Sequence, residues 1–213
     1  MAFTIALPSY SVFAEEENQA KETQTNETNK TQADETTAND TLSLAAETAV
    51  LIDAASGEIL YDKDADKKMY PASITKLMTI LLALENGKLT DEITFSHDAV
   101  YNIEPGSAHI AILEGETLTL EQVLRAIILR SANEASNGVA EYVDGSVEAF
   151  AKHMTERAKE LGCTNTNFVN ANGLFDENHY TTAHDMALIA RELLKHEEYR
   201  SMMSETDYEI PPT

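Results

Sequence analysis

Met69-Tyr70-Pro71-Ala72-Ser73-Ile74-Thr75-Lys76-Leu77-Met78-Thr79 is the stretch on which the fold turns. Pro71-Ala72-Ser73 predicts a helix start, because proline is tolerated in a first turn and serine favours a cap. Apolar residues follow at Ile74, Leu77, Met78, Leu81 and Leu82, and the helix is expected to end at Gly87. Ile80 and Leu84 widen the stripe until the helix is apolar nearly all round, which makes it central rather than superficial. Ser73 and Lys76 lie three apart on this helix and so share a face. A serine in a first turn is usually only a cap, and a lysine on a helix is usually only solvated. Here Lys76 would have to enter an apolar layer, and a buried lysine loses basicity until its amine can take a serine proton.

Outward from that helix, the chain alternates short strands with helices. Ala49 to Asp53 and Glu58 to Tyr61 flank Ala54-Ala55-Ser56-Gly57 and predict a hairpin with glycine at its turn. Thr119-Leu120-Glu121-Gln122 is a capping box, and it opens a helix that puts Val123, Leu124, Ile127 and Ile128 on one face. Further helices are expected over Glu134 to Val143, Val147 to Leu161 and Ala183 to Lys195, with a strand at Asn167 to Val169. Helices outweigh strands, and the strands can pair only in a mixed or antiparallel sheet. The fold class is therefore α/β in the loose sense, or α+β.

A second polar group, Ser131-Ala132-Asn133, follows the capping-box helix. A hydroxyl and an amide in such a loop could relay a proton and hold a substrate amide. Taken alone, the tripeptide reads as one helix end and the cap of the next. Asn172-Gly173 reads as a turn first and a site-shaping loop second, Glu104-Pro105-Gly106 as a turn, and Cys163 after Gly162 as a buried thiol.

Composition narrows the function. The 213 residues carry 37 acids against 15 Lys and Arg, a net charge of -22. Phosphate recognition needs a basic face, so a nucleic-acid partner is excluded. One cysteine permits no internal disulfide, and the six histidines fall in neither HExxH nor HxH spacing, so neither a metal nor another cofactor is expected. No apolar run is long enough to span a bilayer. Residues 1–14 are apolar, uncharged and end in Val12-Phe13-Ala14 before three glutamates, as the end of a secretory signal would. Residues 15–43 are rich in Glu, Thr, Asn and Gln, have little to bury, and are expected to form a disordered acidic spacer. The Asn-x-Thr triplets at Asn26, Asn29 and Asn39 arise readily in such a composition. The globular part is expected over 44–213, and the protein to be exported to the extracytoplasmic face of a bacterial membrane or the cell wall.

These motifs together resemble the penicillin-interacting serine peptidases, whose set is S-x-x-K, S-x-N and K-T-G. The resemblance is nearest to the D-alanyl-D-alanine carboxypeptidases among low-molecular-weight penicillin-binding proteins. It runs from about Ala49 onward and includes Tyr70 to Thr79, Glu104-Pro105-Gly106-Ser107, Glu114-Gly115-Glu116, Asn170-Ala171-Asn172-Gly173-Leu174 and Tyr180-Thr181-Thr182-Ala183-His184-Asp185-Met186. It implies a β-lactamase/DD-peptidase-like fold, a mostly antiparallel sheet flanked by helices beside a helical region. It also implies a nucleophile at Ser73, its base at Lys76, proton transfer through Ser131 and substrate-amide binding by Asn133. The implied substrate is a peptidoglycan stem peptide ending in D-Ala-D-Ala, cleaved through an acyl-enzyme that β-lactam antibiotics would intercept. Ala132 stands where many members have glycine. No lysine here is followed by Thr-Gly, so by resemblance the catalytic domain is expected to continue past Thr213, with any membrane contact through that continuation. Without it the 213 residues alone are expected to be nearly inactive. A serine β-lactamase is the rival enzyme, but its E-x-x-L-N setting is missing after Asn133. A catalytically silent wall-binding or penicillin-binding module is the rival outside enzymes.

Overall fold

The computed structural model describes residues 44–211. The expected signal remnant at 1–14 and the whole of the acidic spacer, 15–43, lie outside the described residues. The expected hairpin is present as β1 (Ala49–Ile52) and β2 (Ile59–Lys63), antiparallel, with a register irregularity between Leu51 and Ile52. Asp53 shapes its turn by accepting bonds from the Ala55 and Ser56 amides, and Gly57 takes φ +82°. A second antiparallel pair, which the sequence reading did not pick out, joins β3 (Glu92–Thr94) to β4 (Thr117–Thr119). Their three-residue length explains the omission, since it is too short for a readable alternation.

The helices are α1 (Lys76–Asn86), α2 (His97–Tyr101), α3 (Leu120–Arg130), α4 (Asn133–Asp144), α5 (Val147–Glu160), α6 (Ala183–Leu193) and α7 (Glu197–Met202). Several starts follow capping chemistry: Ser96, Thr119, Ser146 and Thr182 each accept the backbone amide three residues on. At Thr119 the reciprocal bond from its own amide to Gln122 completes the expected capping box. As predicted, α1 is central. It packs against α3, α4, α5 and α6, and its Met78, Leu81, Leu82 and Ala83 are fully buried. Burial of each large apolar side chain of this kind stabilises by about 1.5–3 kcal/mol. Phe95, Phe150, Leu120, Leu124, Met154 and Ile189 extend the same core.

One expectation is corrected at the start of α1. The chain from Ala72 to Thr75 is a 3-10 turn, and the α-helix begins only at Lys76. The segment expected as a strand at 167–169 makes only a bridge, Asn167 to Tyr180, because the next two amides, of Phe168 and Val169, donate to the side chains of Thr155 and His179 instead of to a second strand; a second bridge joins Met69 to Thr181. These two bridges lay the 166–181 loop along the front of α1, and that placement builds the site.

Candidate active site

Ser73 sits in the 3-10 turn directly before α1, and the residue before it, Ala72, has φ +47°. A left-handed alanine is strained by roughly 1–2 kcal/mol, and such strain persists only where the surroundings impose it. The surroundings here are the 170–174 loop. Gly173, at φ +86°, lies so close that a Cβ on it would stand 1.9 Å from the Ala72 carbonyl oxygen. Thr75 Oγ1 and His179 Nε2 are 2.7 Å apart, and Thr79 Oγ1 donates to the Ala171 carbonyl at 2.6 Å. The Val169 amide donates to His179 Nδ1 at 3.1 Å, which makes Nε2 the protonated nitrogen and the donor to Thr75. Burial depresses the basicity of His179 to about 4, so the ring is neutral at pH 7.

Lys76 is 4% exposed. Its Nζ donates to the Asn172 carbonyl at 2.6 Å, to Asn133 Oδ1 at 2.8 Å and, weakly, to Ser73 Oγ at 3.4 Å. Desolvation lowers its pKa to about 8, against an opposing pull from the Glu134 carboxylate. The ammonium is thus held by three oxygens, one of them the serine oxygen whose proton it would accept as free amine. Such an arrangement could activate a serine as a nucleophile once the lysine is a free amine.

Of the four residues singled out in the sequence, Ser73, Lys76 and Asn133 come together in one hydrogen-bonded group. Asn133 opens α4, and its Nδ2 makes no hydrogen bond among the described residues, leaving a donor for a substrate carbonyl. Ser131 is placed differently. It ends α3 in the left-handed region at φ +55°, and its buried Oγ has no hydrogen-bond partner among the described residues. The sequence reading of Asn172-Gly173, a turn first and a site-shaping loop second, did not single out Asn172 as a partner of Lys76. Its contribution to Lys76 is a backbone carbonyl, which every residue possesses. The side chain fixes that carbonyl by donating to Asn137 Oδ1 at 3.1 Å and accepting from the Leu174 amide at 3.0 Å. Cys163 is buried as expected, and burial, aided by the charge of Asp185, pushes its pKa up to about 12. Among the described residues no three His, Cys, Asp or Glu side chains group as metal ligands would.

Residues 31–210 match the model of the D-alanyl-D-alanine carboxypeptidase family. The chain is 43% identical over 161 residues to the D-alanyl-D-alanine carboxypeptidase DacF of Bacillus subtilis, covering 73% of this chain and 41% of that protein. It is 37% identical over 160 residues to DacC of Escherichia coli, again a D-alanyl-D-alanine carboxypeptidase, covering 71% of this chain and 40% of that one. It therefore spans about two fifths of the length of these curated relatives. Among solved structures, penicillin binding protein 5 from Haemophilus influenzae superposes with a TM-score of 0.73 at 33% identity, over 79% of this chain and 51% of that one. The D-alanyl-D-alanine carboxypeptidase DacD from Francisella tularensis gives 0.74 at 29% identity, over 85% and 46%. The pair formed by Ser73 and the buried Lys76 thus lies in a chain that belongs to the D-alanyl-D-alanine carboxypeptidase family.

Proposed function

We propose that this chain carries the nucleophile and base of a serine-type D-Ala-D-Ala carboxypeptidase acting on peptidoglycan stem peptides. The observation that carries the reading is Lys76, buried, less basic than a free lysine and directed at Ser73. In its free-amine form Lys76 takes the Ser73 proton as Oγ attacks the carbonyl of the penultimate D-alanine. Asn133 Nδ2 orients the peptide through a carbonyl, and Ser131 passes the proton to the departing D-alanine nitrogen. Breaking that C–N bond leaves an acyl-serine, which water hydrolyses. A β-lactam enters by the same attack on its ring carbonyl. The apolar, uncharged 1–14 ahead of Glu15 further supports export to the cell envelope, where such peptides occur. Recovery of the protein from cytosol with those residues intact would count against that part.

The test of the chemistry uses the protein purified from its host, fluorescent penicillin and peptide mapping. Label is expected on Ser73, absent in Ser73→Ala and reduced about 10²–10⁴-fold in rate in Lys76→Ala, as for loss of a positioned general base. Label that persists in Ser73→Ala removes the assignment.

A further inference from the structure

Glu134 follows Asn133 in α4 and is 1% exposed, a place that carboxylates rarely occupy. Its Oε1 accepts the Ile110 amide at 2.7 Å, while the Asn133 amide donates to the Ala108 carbonyl at 2.9 Å. These two bonds tie the start of α4 to the 108–110 segment. The tie uses a single carboxylate oxygen, and a neutral amide could make it equally well. Oε2 is buried and has no hydrogen-bond partner among the described residues, so hydrogen bonding to the fold does not account for a charge here. Among the described residues the cation of this site is Lys76, held by Asn133, the residue next to Glu134, and the charge of Glu134 opposes the loss of its proton.

We propose that Glu134 is a positioning residue that acts through Lys76: its buried carboxylate stabilises the ammonium and thereby sets the pH at which a free amine becomes available to Ser73. The proposal rests on Lys76 being the base. Other charged groups around α1 are otherwise engaged. Arg157 of α5 pairs with Glu85 near the far end of α1, Arg125 of α3 pairs with Glu205, and Asp185 of α6 accepts from Thr166 and Asn165. His179, beside the 3-10 turn, is neutral at pH 7. The sign follows from Coulomb attraction: removing the carboxylate disfavours the ammonium, so the lysine releases its proton at lower pH.

The experiment is a titration of the protein labelled with ¹³C at lysine Cε, with the Lys76 signal assigned by its loss in Lys76→Arg. In Glu134→Gln, which can still accept the Ile110 amide, the Lys76 midpoint is expected about one unit lower, and the pH profile of Ser73 acylation by penicillin should shift with it. Glu134→Asp and Glu134→Asn, matched in shape and different in charge, repeat the comparison should Glu134→Gln fail to fold. An unmoved Lys76 midpoint in the neutral variants overturns the proposal, and so does a moved midpoint with an unmoved acylation profile. The lysine titration needs no substrate. Absence of Ser73 acylation in the parent protein would therefore strike the proposed function, while the coupling of Glu134 to Lys76 is read separately.

Discussion

Gly173 holds the turn that carries Ser73 by having no side chain. At φ +86°, with the Ala72 carbonyl where its Cβ would stand, it permits a contact that no other residue allows. Gly173→Ala is expected to cost about 1–3 kcal/mol from overpacking, with a further contribution from the left-handed backbone. Because the displaced atom is backbone next to Ser73, acylation should fall more than stability does. Urea unfolding together with penicillin labelling separates the two, and wild-type labelling in a destabilised variant would show that the turn has another support. Lys76 gives a second expectation at this scale. On the proposed mechanism the free amine is the reactive form, and with its pKa lowered to about 8 the acylation rate should rise with pH below that value and level off above it. A rate flat from pH 6 to 9 would mean that the ammonium is not what titrates. Ser73, Lys76 and Asn133, which the structure brings together, were singled out through the resemblance of their motifs, since spacing alone left them as caps and a solvated lysine. The Asn172 carbonyl was not, since a backbone acceptor leaves no trace in residue type.

Long elements were easier to read than short ones for the same physical reason. The nearly all-apolar α1 and the capping box of α3 declare themselves over many residues, whereas β3, β4 and the five-residue α2 rest on contacts that the chain makes only when folded. The 3-10 turn at Ala72–Thr75 was read as α-helix because the 170–174 loop, distant in sequence, imposes it. The 166–181 loop titrates through His179, whose folded pKa of about 4 lies below its ordinary value of 6.5. The folded state therefore binds fewer protons than the unfolded one between these values. Its contribution is complete above pH 6.5 and is lost as pH falls towards 4, by at most about 3 kcal/mol. His179→Gln should flatten that part of the stability profile relative to wild type, as read by urea unfolding at pH 7 and 4.5. Parallel profiles for the two would remove the histidine from the account. At the other end, Arg125 of α3 holds the segment after α7 through two bonds to Glu205 and the face of Tyr208. Arg125→Ala should cost about 1.5–3 kcal/mol, the usual worth of hydrogen bonds to a charged group. It should also open the 203–210 segment to limited proteolysis, and unchanged protease resistance would argue that Ile210, which packs on the core, suffices to hold it.

The whole molecule carries a net charge of -22, and that charge bears on the proposed reaction as well as on solubility. A stem peptide ending in a carboxylate, or a penicillin anion, approaches a body of its own sign. Within the site Lys76 is the group that could offset this, but a free-amine Lys76 carries no charge, so on the proposed mechanism the form that reacts is also the one with least attraction for an anion. Long-range repulsion acts over the Debye length, about 30 Å at 0.01 M salt and about 10 Å at 0.1 M. The second-order rate of Ser73 acylation by an anionic penicillin should therefore rise with ionic strength, by roughly three- to tenfold between 10 and 300 mM sodium chloride, a modest share of the range that steering can span. A zwitterionic β-lactam of similar size provides the comparison, since its net charge is near zero and its rate should change little. Salt effects on folding would alter both rates alike, so the ratio isolates the electrostatic term. A ratio that falls with salt would mean that local positive potential at the mouth of the site outweighs the charge of the whole, and would direct attention to a cation close to Ser73 that binds the substrate carboxylate.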